Sequence, residues 1–186
     1  MSRAPLRTAA AGTIVVILAA VVLAADQFTK YLALQHLPPE QPVHVVGNVL
    51  IFILTANAGA AFSLGSDVTW VFTIALAVVS LAIIWLVGTR VRSRAWAIIL
   101  GLLLGGVLGN LSDRLFRAPG FGVGHVVDFI NTPWMMPAIY NVADMFITTM
   151  MVGVAILVLV GLRLDGTRDK RATAPDSAAA QHTSEH

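Results

Sequence analysis

Four long apolar stretches divide the chain, roughly Ala9 to Ala25, Val68 to Val87, Ala95 to Gly109 and Ala138 to Leu162. Each suits a helix crossing a hydrocarbon layer about 30 Å thick, the third being the shortest. After the first, the Leu37-Pro38-Pro39 step stops any helical continuation, because proline has no backbone N–H to donate. Val43-His44-Val45-Val46 and Val49 to Thr55 then flank Gly47-Asn48, a dipeptide suited to a tight turn, which predicts a small β-sheet outside the membrane core. Ala118 to Pro137, rich in glycine and proline, reads as a second outer loop that adds a short strand over Val126 to Ile130.

Composition turns these stretches into membrane spans. Of 186 residues, 57% are hydrophobic and only 12% charged, with a mean hydropathy of +0.80. A soluble surface does not tolerate that balance. Nine of the twelve basic residues fall in three places: Arg3 and Arg7; Arg90, Arg92 and Arg94; Arg163, Arg168, Lys170 and Arg171. Such clusters mark the cytoplasmic side, which predicts a membrane α-helical fold of four transmembrane helices with both termini cytoplasmic. The net charge of +2 reflects this topology rather than nucleic-acid binding.

The first stretch is longer than the core of a cleaved secretory signal, and a charged cluster from Asp26 to Lys30 follows it. It is read as a retained span. The absence of cysteine excludes disulfides, thiolate chemistry and lipidation on cysteine. Residues 1–162 form one membrane-embedded domain, with an outer β region at about 37–67 and an outer loop at about 115–137. Residues 163–186 turn polar and are expected to form a disordered cytoplasmic tail. Trp70, Trp85, Trp96 and Trp134 fit interfacial belts. Gly101, Gly105 and Gly109 leave one face of the third span nearly bare, for helix packing or for a substrate helix.

Counting along helices places the polar residues in depth. Arg7 to Asp26, Arg94 to Asp113 and Asp144 to Arg163 are each 19 residues, or about 28 Å of helix. Three carboxylates therefore share one level near the outer edge of the hydrocarbon layer. Carboxylates so placed are costly unless used. Asp26 and Lys30 form an i,i+4 pair, and Asp113 or Asp26 can pair with Arg114. Asp144, on the Asn141-x-x-Asp144 turn, and Asp128, 16 residues upstream, are close enough along the chain to meet.

In five places the chain resembles the bacterial lipoprotein signal peptidases, the type II signal peptidases. Asp26-Gln27-Phe28-Thr29-Lys30, Asn57-Ala58-Gly59-Ala60-Ala61-Phe62-Ser63 and the run from Gly105 to Arg114 are similar to its first three motifs. Val126-Val127-Asp128-Phe129 and Asn141-Val142-Ala143-Asp144 are similar to the fourth and fifth, and the likeness spans Ala9 to Leu162. Tyr140 and Ser112 depart from the usual phenylalanine and aliphatic residue.

The resemblance implies a multi-pass protein of the bacterial cytoplasmic membrane, its active site near the extracytoplasmic face. It would be an aspartic endopeptidase that removes signal peptides from diacylated prolipoproteins by cutting before the diacylglyceryl-modified cysteine. Asp128 and Asp144 would be catalytic, and Asp26, Lys30, Asn57, Gly59, Asn110, Arg114 and Asn141 would shape the pocket and orient substrate. Its partners would be those precursors and membrane lipids, with no nucleic acid, no metal or other cofactor, and the chain acting as a monomer.

Carboxylate chemistry agrees with that expectation. Two carboxylates about 4 Å apart at an effective dielectric near 20 repel by about 4 kcal/mol, or about three pKa units, so one stays protonated near neutral pH. Such a pair can activate water and protonate a leaving nitrogen. A proton-coupled transporter would need ionisable residues along its path, yet the inner halves of the spans carry none. A non-catalytic lipoprotein-capturing protein would tolerate loss of either aspartate. A serine protease lacks its Gly-x-Ser-x-Gly elbow here, and the five histidines are poorly placed for it or for a metal.

Overall fold

The computed structural model describes residues 6–59 and 68–168. Arg3, Ala60 to Ser63, Lys170, Arg171 and the tail from residue 169 onward lie outside them. Among the described residues, four apolar helices long enough to cross a membrane carry a four-stranded antiparallel sheet at one end. In chain order these are α1 (Thr8–His36), β1 (Val43–Val46), β2 (Leu50–Asn57), α2 (Thr69–Thr89), α3 (Arg94–Phe116), β3 (Val126–Thr132), β4 (Met136–Tyr140) and α4 (Val142–Leu159).

α3 is the central helix: 61% of its apolar stretch is buried, against 22%, 22% and 6% for α1, α2 and α4. Its glycines make this possible. A Cβ on Gly105 would lie 2.6 Å from Val22 Cβ and 2.8 Å from the Ala19 carbonyl oxygen, and one on Gly101 would lie 3.0 Å from Val15 Cα. The bare face is filled by α1, which leaves no room there for a substrate helix. Trp96 is likewise a packing residue rather than a belt residue. It is buried and donates its indole N–H to the Leu162 carbonyl at 2.9 Å, whereas Trp70, Trp85 and Trp134 are exposed.

Two helices outrun their hydropathy. α1 continues eleven residues beyond Ala25 and α3 seven beyond Gly109, because the charges that follow are buried in pairs instead of marking the end of the membrane. α1 does end at the proline step: Leu37 is extended at φ −99° and ψ 133°, as a residue before proline must be.

The hairpin falls where Gly47-Asn48 placed it, and the strand begun at Val126 runs on to Thr132. The fourth span, however, begins four residues later than its apolar run. Met136 to Tyr140 is an edge strand paired to β3, with Ile130 opposite Tyr140, and an edge accommodates Pro137. The sheet packs on the far end of α1 through Ala33, Leu54, Val127 and Phe129, with Leu37 and Val142 against them.

At the opposite end, Leu6 donates its N–H to the Arg92 carbonyl at 2.8 Å. Arg92 and Ser93 donate theirs to the Leu164 carbonyl at 2.8 and 3.0 Å. The segments before α1 and after α4 thus meet at the α2–α3 turn.

Candidate active site

Asn141 is where strand becomes helix. It is extended (φ −131°, ψ −178°) and caps α4: its side-chain Oδ1 accepts from the Asp144 N–H at 3.0 Å, and its own N–H donates to Asp144 Oδ2 at 3.1 Å. This reciprocal box fixes the side-chain amide, whose Nδ2 then donates to Asp128 Oδ1 at 2.7 Å. One buried asparagine therefore binds both aspartates, one from β3 and one from the first turn of α4.

Two further amides complete the pair. Asn57, the last residue of β2, donates Nδ2 to Asp128 Oδ2 at 2.9 Å, while its Oδ1 accepts from the Gly59 N–H at 3.0 Å. Asn110 on α3 donates Nδ2 to Asp144 Oδ1 at 2.8 Å. All four carboxylate oxygens have a donor. Asp128 is 2% exposed. Burial first, and then the neighbouring Asp144 carboxylate, push its carboxyl up to about 7, against the pull of the Asn57 and Asn141 hydrogen bonds.

Behind the pair lies a buried ion cluster. Lys30 Nζ reaches Asp26 Oδ2 at 2.9 Å, Asp113 Oδ2 at 2.8 Å and Asn110 Oδ1 at 3.0 Å, which accounts for its three protons. Asp26 Oδ1 accepts from the Ala143 N–H at 2.9 Å, and Asp113 also holds Arg117 at 2.6 Å and the Val127 N–H at 3.1 Å. The three carboxylates at one depth thus do sit together, but Asp26 and Asp113 pair with Lys30 and Arg117, not with Arg114. Gln27, which nothing in the sequence singled out beyond its place between Asp26 and Lys30, bridges both acids and the Gly109 carbonyl at 3.1 Å each.

Arg114 holds the chain's own backbone. Its terminal nitrogens donate to the carbonyls of Ala58 (2.8 Å), Gly124 (3.4 Å) and Gly59, and its guanidinium carbon lies 5.6 Å from the Phe72 ring centre. Its Nε is buried without a hydrogen-bond partner among the described residues.

A cavity of about 370 Å³, lined by Asn57, Phe72, Asn110, Arg114, Asp128 and Asp144 among others, opens onto these groups. A second of about 710 Å³, lined by Leu86, Leu100, Leu103, Val154 and Val158, lies between the same three helices toward the basic end. α2 and α4 flank both cavities without packing closely on each other.

The sequence matches the family model of signal peptidase (SPase) II across residues 18–163. A lipoprotein signal peptidase of Leifsonia xyli subsp. xyli is 46% identical over 183 residues, covering 97% of this chain and 84% of its own. One from Mycobacterium avium is 48% identical over 142 residues, covering 76% and 74%. Among solved structures, a bacterial membrane enzyme determined by the in meso method at 2.3 Å resolution superposes with a TM-score of 0.72 at 25% identity. That match covers 87% of this chain and 95% of the other.

Proposed function

The chain belongs to the signal peptidase II family, and from that premise we propose that it removes signal peptides from prolipoproteins with Asp128 and Asp144 as its catalytic pair. The observation that carries the proposal is Asn141, which binds both carboxylates at the wall of one cavity. A water between the pair loses a proton to the ionised member while the protonated member donates to the scissile carbonyl oxygen. On collapse of the diol, its hydroxyl proton returns to the second aspartate and the first protonates the leaving nitrogen. Each aspartate ends as it began.

The basic residues Arg7, Arg90, Arg92, Arg94, Arg163 and Arg168 belong to the end where the α2–α3 turn meets both chain segments. We read that end as cytoplasmic, in the bacterial cytoplasmic membrane, with the sheet and the aspartates toward the extracytoplasmic face. A diacylated substrate then keeps its lipid chains in the outer leaflet. Its signal helix lies between α2 and α4, beside the cavity wall that Arg114 helps to form. Asn57, Gly59, Asn110 and Asn141 shape the pocket, while Asp26 and Lys30 hold it from behind. The chain works as one monomeric unit.

The test is cleavage by purified protein of matched precursors with and without the diacylglyceryl group, in the presence of a chelator. Chelator-resistant cleavage of the diacylated form alone, leaving the lipidated cysteine as the new N-terminus, is expected. Equal cleavage of both forms contradicts the lipid requirement, and no cleavage contradicts the activity.

A further inference from the structure

Hydrogen-bond polarity around Asp144 can be traced to donors that have no alternative. Lys30 has an ammonium, which only donates, so Asn110 Oδ1 at 3.0 Å must be the acceptor. The Asn110 NH₂ is thereby turned to Asp144 Oδ1 at 2.8 Å, and Asn141 Nδ2 adds a longer contact to the same Asn110 oxygen at 3.2 Å. The other oxygen of Asp144 takes the Asn141 backbone N–H, again a group that only donates. Asp144 is also the third residue of an 18-residue helix, where the backbone dipoles favour negative charge. Asp128 also takes two fixed amides, Asn57 and Asn141, whose own oxygens accept the Gly59 and Asp144 N–H groups. It lies on a strand, however, with no helix N-terminus beneath it and, among the described residues, no lysine on either amide.

We propose that Lys30 is a positioning residue: by fixing the Asn110 amide it holds Asp144 as the ionised member of the pair and leaves the shared proton on Asp128. The proposal rests on the reading of the two aspartates as the catalytic pair. Asp144 is then the group that takes the proton of water, and Asp128 the group that donates to the carbonyl oxygen. The charged groups around the pair are Asp26 and Lys30 on α1 and Asp113 and Arg114 on α3. Within that set, Lys30 alone contacts an amide that donates to Asp144.

Two measurements test it. Infrared spectra of aspartate-labelled protein at about pH 6, where ordinary carboxyls are ionised, should show one protonated carboxyl band in the wild type that vanishes in Asp128→Asn. A band that survives in Asp128→Asn, or its absence from the wild type, overturns the assignment. Whether Asp128→Asn still cleaves precursor separately tests the pair itself.

The second measurement uses the Lys30→Met/Asp26→Asn double variant, which removes one charge of each sign and keeps an acceptor for the Ala143 N–H. Its acid limb in the kcat–pH profile should move up by about one pH unit, a tenfold loss on the acid side that is recovered as pH rises, with KM nearly unchanged. A loss equal at every pH marks a merely structural lysine and overturns the positioning role. Should this variant not fold, the infrared result on the wild type and Asp128→Asn still decides where the proton lies.

Discussion

Asn141 Nδ2 lies 2.7 Å from Asp128 Oδ1, so the residue that caps α4 also restrains the carboxylate on β3. The cap and the site are one structure, and damage to either should reach the other. Asn141→Ala removes the Oδ1 acceptor of the Asp144 N–H, at a cost of about 1 kcal/mol of stability. It should also lower kcat far more than that cost implies, because both aspartates lose a restraint. Thermal unfolding in detergent beside precursor cleavage separates the two effects. Activity close to wild type would show that the bridge is dispensable.

The carboxyl of Asp128, pushed up to about 7, sets a pH dependence. Below that value the group keeps its proton and can donate it; above, both aspartates are ionised and the donor is lost. Cleavage should therefore fall as pH rises through about 7, with an alkaline limb in the kcat/KM–pH profile, which reports the free enzyme's groups. A rate that stays flat from mildly acid to well above this pH would contradict the role given to Asp128.

The ion cluster makes a stability prediction. Asp113 is completely buried between Lys30 and Arg117, so Asp113→Ala leaves two cations short of a partner. Breaking a buried pair from one side costs about 3–5 kcal/mol. A large drop in the unfolding temperature is expected, and an unchanged one would mean the cluster is not held together as described.

Much of this was legible from residue order. Gly47-Asn48 located the hairpin, the 19-residue spacings put Asp26, Asp113 and Asp144 at one level, and Asn141 and Asp144 stood out as polar residues against an apolar run. The helix ends were less legible, because hydropathy treats the first charge as the edge of the membrane. Asp26, Lys30 and Asp113 are instead interior to their helices, neutralised by partners 80 or more residues away or by one another. β4 was hidden because Ala138 to Tyr140 is as apolar as the helix that follows. Its strand character comes from pairing with β3, a long-range property.

Packing of α3 against α1 gives a control pair. A Cβ at Gly105 meets Val22 Cβ and the Ala19 carbonyl oxygen, whereas one at Gly12 meets nothing within 4 Å. Gly105→Val should destabilise by about 1–3 kcal/mol through overpacking, and Gly12→Ala should not destabilise. Unfolding of both variants in detergent checks this; equal effects would remove the claim that α1 seats on bare backbone.

The central claim is that Asp128 and Asp144 act on one peptide bond, and the most direct measurement is cleavage of a diacylated precursor by Asp128→Asn and by Asp144→Asn. Asparagine keeps the size of each side chain but turns an NH₂ toward one of the surrounding N–H donors, so unfolding in detergent checks that each variant is folded. In the folded proteins kcat should fall by about a thousandfold or more in each, and no further in the double variant. A folded single variant that cleaves at the wild-type rate would contradict the account.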